Sequence, residues 1–181
     1  MTFEIVETKR LHLRKLTPEV YEYIFMNYSK KEIKAFLGIV SEEEFEKISD
    51  KYEKGMATYN KSFVNFLLID KLTGKVIGDC GFHTWYVHHF RAEVGYSLLY
   101  EEDKRKGYMS EALAAIIAYG FEEMNLHRIE AFVAPNNVPS LSLLKKMNFQ
   151  AEGCLKEHYL YKGKFEDSLI FSLLKGDYFL L

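Results

Sequence analysis

The chain has 181 residues, of which 48% are hydrophobic, and this length and composition fit a single domain with a sizeable core. Its formal net charge of −2 and a pI near 6.3 argue against a general nucleic-acid binder, which needs a broad basic face. Two cysteines are too few for a disulfide framework or a four-thiolate zinc site, and they fit a reducing compartment.

The N-terminal half predicts a strand followed by two helices. The N-terminus has no signal-peptide pattern and no apolar run approaches the ~18 residues of a membrane helix, so we expect a cytoplasmic protein with no membrane partner. Apolar and polar residues alternate in "RLHLRKL", which predicts a strand, and Thr17 then caps a helix. A second helix, "SEEEFEKISDKYEKG", is predicted from a capping box between Ser41 and Glu44 to Gly55.

The rest of the chain alternates strands with two further helices. "FVNFLLID" and "LTGKVIGDCGFHTWYV" predict a hairpin, and "AEVGYSLLYE" a further strand. "MSEALAAIIAYGFEEMN" is the longest predicted helix, "RIEAFVA" a strand, and "VPSLSLLKKMN" a short helix capped by Asn137. "EGCLKEHYLY" and "EDSLIFSLLK" close the chain as a hairpin. The order β-α-α-β-β-β-α-β-α-β-β predicts a mixed sheet with packed helices, an α/β (α+β three-layer) domain.

A cationic turn precedes the longest helix. In "EEDKRKGYMSEAL", Lys104, Arg105 and Lys106 are followed by Gly107, which lets a ligand approach the main chain closely. Helix N-termini expose unpaired N–H groups and a partial positive charge, so the turn predicts a phosphate or pyrophosphate site. The alternative is a solvated basic turn, balanced by the acidic residues before it. The Walker A and G-x-G-x-x-G patterns do not occur, which argues against nucleotide hydrolysis and hydride transfer.

Four segments occur in an informative order: "RAEVGYSLL", "KRKGYMSEAL", "NNVPSLSLLKKMNF" and "EGCLKEHYLYKGKFEDSLIFSLL". Together they resemble the GNAT N-acetyltransferases: the strand before the acyl-CoA pyrophosphate loop, the loop, the following helix, and the closing hairpin. The hairpin is similar to that of the branch that acetylates the N-termini of ribosomal proteins. The resemblance extends from "ETKRLHLRKLT" to "FSLLK".

The resemblance implies a mixed, mostly antiparallel sheet of about seven strands with helices on both faces, in one acyl-CoA N-acyltransferase domain over residues 1–181. It implies direct transfer of acetyl from acetyl-CoA to a primary amine, without a metal. The acceptor is expected to be a protein N-terminus or a small molecule, with no nucleic-acid or membrane partner, and a homodimer is compatible with the family.

The resemblance also implies where acetyl-CoA binds. The pantetheine arm is expected to pair with the strand end near Leu98 and Leu99, and to contact Asn137 as that residue caps its helix. The pyrophosphate is expected on the backbone N–H groups of Arg105, Lys106, Gly107, Tyr108, Met109 and Ser110.

The chain departs from the family pattern at several positions. Lys104 replaces the usual Gln or Arg, Met109 replaces a small residue, and Asn148 replaces a Gly, although Asn tolerates a left-handed backbone. Many members carry a Tyr that protonates the leaving thiolate, and here Leu144 occupies that position. Ser140 therefore becomes the candidate group for bonding the thiolate, in addition to contacting the cofactor; the alternative is a first-turn serine that faces solvent.

The expected base is Glu93, acting through a water, or else Glu93 is a structural carboxylate. Tyr159 aligns with an acceptor-side carboxylate of related enzymes, and Glu157 is expected two residues earlier on the same face. His83 is expected to relay a proton or to be structural.

Two other groups of residues are disfavoured as sites. The pattern argues against a metal triad of His88, His89 and Glu93 unless a bend intervenes, because adjacent strand residues point to opposite faces. Cys80 and Cys154 are expected to be small core residues.

The cost of deprotonating the acceptor bears on which kind of amine the enzyme uses. Near pH 7, deprotonation costs about 1.4 kcal/mol for an α-amine and about 4.6 kcal/mol for a lysine, which favours an α-amine at a site without a strong base. Two alternatives stay open: an acyl-CoA-binding sensor or scaffold that has lost transfer, and a binder of another nucleotide.

Overall fold

The computed structural model describes residues 1–58 and 60–180, which form eight strands and six α-helices. The strands are β1 (Ile5–Glu7), β2 (Leu11–Leu16), β3 (Ser62–Asp70), β4 (Val76–Tyr86), β5 (Arg91–Leu98), β6 (Arg128–Val133), β7 (Gln150–Tyr161) and β8 (Lys164–Leu174). The helices are α1 (Pro18–Asn27), α2 (Lys30–Leu37), α3 (Glu42–Glu53), α4 (Tyr108–Glu122), α5 (Val138–Lys146) and α6 (Lys175–Tyr178).

All eight strands form one sheet in the order β1-β2-β3-β4-β5-β6-β8-β7. Every neighbouring pair is antiparallel except β5 and β6, which confirms the mixed, mostly antiparallel sheet. The expected count of about seven strands is corrected to eight. The additional strand, β1, has three residues, too few for an alternating pattern to be recognised.

The helix predictions need two additions, α2 and the four-residue α6, and one correction. Helix α2 was not predicted, although Ser29 and Glu32 form a complete capping box at its start. The box predicted at Ser41 is half formed: the Glu44 N–H donates to Ser41 Oγ at 3.1 Å, and the described residues show no return bond from Glu44. Asn148 has a φ of 61°, so the left-handed backbone expected at this position is confirmed.

Helices cover both faces of the sheet, as the resemblance implied. Helices α4 and α5 pack on one face, in the cluster that contains Phe66, Phe82 and Phe121. On the other face, α1 and α2 cover a second cluster, with partly buried residues of α3 at its margin. Helix α4 lies very close to the sheet, since a Cβ on Gly120 would come within 2.6 Å of the Phe82 ring.

The sheet opens into a gap between its two parallel strands. Strands β5 and β6 pair only from Arg91 to Glu93, with Arg128 to Glu130, and then diverge. The Glu130 carboxylate ties the paired ends together, because it accepts hydrogen bonds from Arg91 and Arg128, each at 2.7 Å. Beyond Glu93, the edge of β5 that faces β6 therefore lacks a neighbouring strand.

The two cysteines lie in different environments. Cys80 is buried in the core, as expected, but Cys154 is exposed, which corrects the prediction that both are core residues. Cys154 belongs to β7, the strand at the edge of the sheet, where eleven of twelve residues are exposed. None of the helices in the described ranges combines the length and the apolar character needed to cross a bilayer.

Candidate functional site

A cleft of about 750 Å³ opens where β5 ends and α4 and α5 begin. This volume lies within the usual range for small-molecule sites. The cleft brings together eight of the ten residues predicted to hold a cofactor: Leu98, Arg105, Gly107, Tyr108, Met109, Ser110, Asn137 and Ser140. They come from three separate segments of the chain, which the gap in the sheet places side by side.

The loop before α4 presents its backbone N–H groups to the cleft. Arg105 and Gly107 both have left-handed backbone angles, with φ values of 61° and 81°. From Arg105 to Ser110, no backbone N–H donates a hydrogen bond to any acceptor in the described ranges. Successive free N–H groups in such a turn, at the positive end of a helix dipole, form a concave site for an anion.

Ser110 adds an unpartnered hydroxyl to this site. Its Oγ is buried, and it has no hydrogen-bond partner within residues 1–58 and 60–180. Buried hydroxyls in folded proteins almost always have a partner, so the exception calls for one. A ligand oxyanion seated on the loop would provide it.

The loop is fastened to the turn before β2 by Arg10, which sequence reasoning missed. The Arg10 guanidinium donates to a carboxylate oxygen of Glu111 at 2.7 Å and to the carbonyl oxygen of Lys106 at 2.9 Å. It also stacks on the Tyr108 ring at 4.4 Å. The Glu111 carboxylate accepts two further bonds, from the Arg10 N–H and the Thr8 hydroxyl. These contacts fix the first turn of α4.

Two predicted cofactor residues lie outside the cleft lining. The Leu99 N–H donates to the Ile77 carbonyl on β4, so the backbone of Leu99 points away from the gap. Because backbone groups alternate in direction along a strand, the N–H and C=O groups of Leu98 and Tyr96 point toward the gap. Lys106 lines a neighbouring cavity, where its ammonium group lies 3.7 Å from Asp103.

A hydroxyl pair lies at the inner end of the cleft. Ser140 is only 9% exposed, so it does not face solvent. Its N–H donates to Asn137 Oδ1 at 3.2 Å, as expected for a helix cap, and its Oγ lies 2.7 Å from the Tyr96 hydroxyl. Burial raises the pKa of Tyr96, and the bond to Ser140 partly offsets this. Leu144 is completely buried in the core.

The opposite face of β5 carries the expected acid–base residues. Glu93 is 14% exposed at its side chain, and its Oε1 lies 3.1 Å from His83 Nε2. The His83 ring covers Gly95, where a Cβ would come within 2.7 Å of Nδ1. Tyr159 lies close enough to Glu93 for the carboxylate to affect its pKa. Burial raises the pKa of Tyr159, and the negative charge of Glu93 raises it further.

A second carboxylate lies on the same face. Because strand residues alternate, Glu93, Gly95 and Ser97 share one side of β5. Ser97 Oγ donates to Asp79 at 2.7 Å, and Asn65 makes a longer contact of 3.4 Å with the other Asp79 oxygen. Burial, together with the charge of Asp79, raises the pKa of Tyr21 on α1 to about 12.

Two sequence arguments about this region are corrected. Strand β7 bulges between Leu155 and Tyr159, and Glu157 has a φ of 50°, so the alternation that placed Glu157 on the face of Tyr159 is interrupted. His88 and His89 lie in a one-turn 3-10 helix, rather than in a strand. Nowhere in the described ranges do three or more His, Cys, Asp or Glu side chains group so as to hold a metal.

Comparisons with known proteins decide the family. The model of the acetyltransferase (GNAT) domain matches residues 10–150, well over half of the chain. The chain belongs to the GNAT acetyltransferases. It is an enzyme of the N-acetyltransferase class, and GNAT acetyltransferases use acetyl-CoA.

Individual relatives agree with this assignment. The GNAT chain is 37% identical to the uncharacterized N-acetyltransferase p20 of Bacillus licheniformis, over 97% of its own length and 98% of that protein. It is 32% identical to the ribosomal protein uS5-alanine N-acetyltransferase of Escherichia coli, over 72% and 64% of the two chains. A crystal structure of a GNAT-family acetyltransferase from Bacillus anthracis superposes with a TM-score of 0.67 and 26% identity, covering 96% and 99% of the two chains.

Three contributors to this GNAT site, Tyr96, Arg10 and Glu111, were not singled out from the sequence. Tyr96 lies in the quoted "GYSLL" segment, two residues before Leu98, so strand alternation could have pointed to it. Arg10 and Glu111 are 101 residues apart, and neither has a local pattern that indicates the contact.

Proposed function

We propose that this GNAT enzyme moves acetyl from acetyl-CoA directly to a primary amine, either a protein N-terminal α-amine of the ribosomal-protein type or the amine of a small molecule. The observation that carries the proposal is the cleft, which extends from an anion-binding loop to Ser140 and Tyr96 at the gap in the sheet. One surface thus offers a place for the pyrophosphate and, farther in, a place for a thioester.

The free N–H groups from Arg105 to Ser110 hold the pyrophosphate in this proposal, and Ser110 Oγ gains its missing partner there. The backbone groups of Tyr96 and Leu98 that face the gap pair with the amides of the pantetheine arm. Asn137 uses Oδ1 for its own helix cap, which leaves its Nδ2 hydrogens for the arm.

The acceptor approaches from the Glu93 side of the sheet. Glu93 takes a proton from the amine through a water, and His83 at 3.1 Å orients the carboxylate and shares the developing charge. The neutral nitrogen attacks the thioester carbonyl carbon, and the carbon–sulfur bond then breaks. CoA leaves as a thiolate beside Ser140, and the second proton that the nitrogen loses passes to that thiolate or to solvent. Tyr159 lies at the acceptor side, where it shapes the pocket.

An α-amine fits this site better than a lysine side chain. At pH 7 its deprotonation costs about 1.4 kcal/mol, against about 4.6 kcal/mol for lysine, and a single carboxylate beside a histidine is a modest base. The 32% identity to a ribosomal protein uS5-alanine N-acetyltransferase supports a protein acceptor. Both cysteines are free, which is compatible with action in the reducing cytoplasm, where we place the enzyme.

The test is acetyl-CoA-dependent CoA release with peptides that start with Ala or Ser, the same peptides blocked at the N-terminus, and a panel of small amines. Mass spectrometry then locates the acetyl group. Release with the free peptides alone, and acetyl on the α-amine, is the expected result. Release with small amines alone keeps the enzyme class and changes the substrate. Acetyl-CoA binding without release for any acceptor would favour a sensor over an enzyme.

A further inference from the structure

We propose that Tyr96 is a positioning residue for the thiolate-bonding group: its hydroxyl donates to Ser140 Oγ and so directs the Ser140 hydrogen toward the sulfur of CoA. This inference rests on the proposed function, because it assigns the source of thiolate stabilisation in an enzyme that has Leu144 where many relatives carry a tyrosine. The hydroxyl comes from strand β5 instead of helix α5.

The geometry restricts what Ser140 can do. Its backbone N–H is held by Asn137, which fixes the first turn of α5, and its Oγ lies 2.7 Å from the Tyr96 oxygen. A serine hydroxyl has one hydrogen to donate and two lone pairs. If Ser140 donated to Tyr96, no hydrogen would remain for the cleft; if Tyr96 donates, the Ser140 hydrogen is free to bond a ligand.

Chemistry selects the second arrangement when CoA leaves. A negative sulfur at the inner end of the cleft attracts the Ser140 hydrogen, and the Tyr96 phenol, a better donor than an aliphatic hydroxyl, then donates to the serine oxygen. Burial raises the pKa of Tyr96, so the phenol keeps its hydrogen near neutral pH. Chains of hydrogen bonds polarise one another, so the phenol strengthens the bond from Ser140 to sulfur.

One titratable thiol acts on the Tyr96 phenol. The charged residues of the cleft lining belong to the segment before α4, and they are Glu101, Lys104 and Arg105. Cys80 lies opposite Tyr96 in the register of β4 and β5. A charge on the Cys80 thiol would raise the pKa of Tyr96. Burial raises the pKa of this thiol well above the usual value, so Cys80 is neutral near pH 7. From α5, the neighbours of this pair include Leu144, which is apolar and completely buried.

The test compares the binding of CoA with that of desulfo-CoA, which lacks the sulfur, between pH 6 and pH 10. A free thiol titrates near pH ~8.5. If the enzyme stabilises the thiolate, the bound thiol has a lower pKa, and the affinity of CoA relative to desulfo-CoA rises as pH increases through this range. Other titrations cancel in the ratio because the two ligands differ only in the sulfur.

Four proteins decide the outcome: wild type, Tyr96→Phe, Ser140→Ala and the double variant. Between pH 6 and pH 10, the affinity of CoA relative to desulfo-CoA should rise about tenfold less in Tyr96→Phe than in wild type. This difference is equivalent to one pKa unit of the bound thiol. We expect no further loss when Tyr96→Phe is added to Ser140→Ala, because Tyr96 acts through the serine. In turnover, Tyr96→Phe should lower kcat about tenfold, with the KM for acetyl-CoA within about twofold of wild type.

Tyr119→Phe is the matched control. Tyr119 is a half-buried tyrosine of α4 that packs on Phe66 outside the cleft, and we expect this variant to behave as wild type. Equal desulfo-CoA affinity in all variants would show that each has folded.

The inference is overturned if Tyr96→Phe leaves the pH dependence of the ratio unchanged, or if it costs as much in the Ser140→Ala background as alone. The binding readout stands even if the wild type transfers acetyl to no amine, so failure of the proposed function is seen separately.

Discussion

The two faces of β5 at the gap are built in different ways. On the proposed cofactor face, most of the candidate binding groups come from one short segment, as the backbone N–H groups from Arg105 to Ser110. On the proposed acceptor face, side chains from β4, β5 and β7 meet, as in the contact between His83 and Glu93. A backbone site depends on the shape of the loop, whereas a side-chain site depends on the identity of each residue, so we expect single substitutions to change the second more than the first.

The largest expected effect separates chemistry from cofactor binding. Glu93→Gln should lower kcat about 100-fold, because the amide cannot accept the proton of the amine, while the affinity for acetyl-CoA stays within about twofold. Steady-state kinetics with the best acceptor and calorimetry with acetyl-CoA measure the two quantities. Glu46→Gln, at an exposed position on α3, is the control. If Glu93→Gln retains wild-type kcat, the carboxylate is structural.

The next effect concerns the cofactor face alone. Arg10→Gln should weaken acetyl-CoA binding about tenfold, because charged hydrogen bonds to Glu111 and Lys106 that hold the loop are lost, each worth ~1.5–3 kcal/mol in favourable cases. The kcat at saturating acetyl-CoA should change little. Lys9→Gln, at the adjacent exposed residue, should bind as wild type. An unchanged affinity in Arg10→Gln would show that the loop holds its shape without this contact.

On the proposed acceptor face, we expect a substitution of Asp79 to have an effect comparable to that of Arg10→Gln, or smaller. Asp79 is bonded by Ser97 and Asn65 but forms no ion pair with a Lys, Arg or His of the described ranges, so an acceptor with a second positive charge can approach it. Asp79→Asn should lower kcat/KM for such acceptors by up to about tenfold and leave acceptors without that charge unaffected. Equal losses for both classes would show that Asp79 supports the fold instead of the substrate.

The smallest effect tests the scaffold beneath the gap. A hydrogen bond from Arg128, helped by one from Ser172, lowers the pKa of Glu152 from 4.5 to about 2. A carboxylate with a lowered folded-state pKa stabilises the fold above pH 4.5 and loses this contribution as pH falls toward 2. Glu152→Gln should therefore be less stable than wild type at pH 6, with the difference disappearing between about pH 4.5 and pH 2 in urea unfolding. A difference that persists at pH 2 would contradict the assigned cause.

The same contrast explains what could be predicted from the sequence. The Asn137 cap and most of the elements depend on local patterns and were predicted, and the anion site at the loop stays a prediction. Strand β1 and helices α2 and α6 were missed because they are short, with three, eight and four residues. The partnership of Tyr96 with Ser140, and that of Arg10 with Glu111, depend on tertiary contacts that no local pattern encodes.

Interrupted strands produced two further differences. The expected common face of Glu157 and Tyr159 assumed regular alternation, which the irregular pairing of β7 with β8 interrupts. The strand assumed at His88 and His89 is replaced by a 3-10 turn. Alternation holds along the regular β5, where the backbone groups of Tyr96 and Leu98 face the gap, and Leu99, which follows the strand, donates its N–H to β4.

The most direct test of the account is the amide spectrum of uniformly ¹⁵N-labelled protein as CoA is added. We expect the largest shifts at the amides from Arg105 to Ser110, followed by those of Tyr96 and Leu98, with small changes at Glu93. Shifts centred instead on the neighbouring cavity around Lys34 and Lys75, or on the Glu93 face, would contradict the assignment of the two faces.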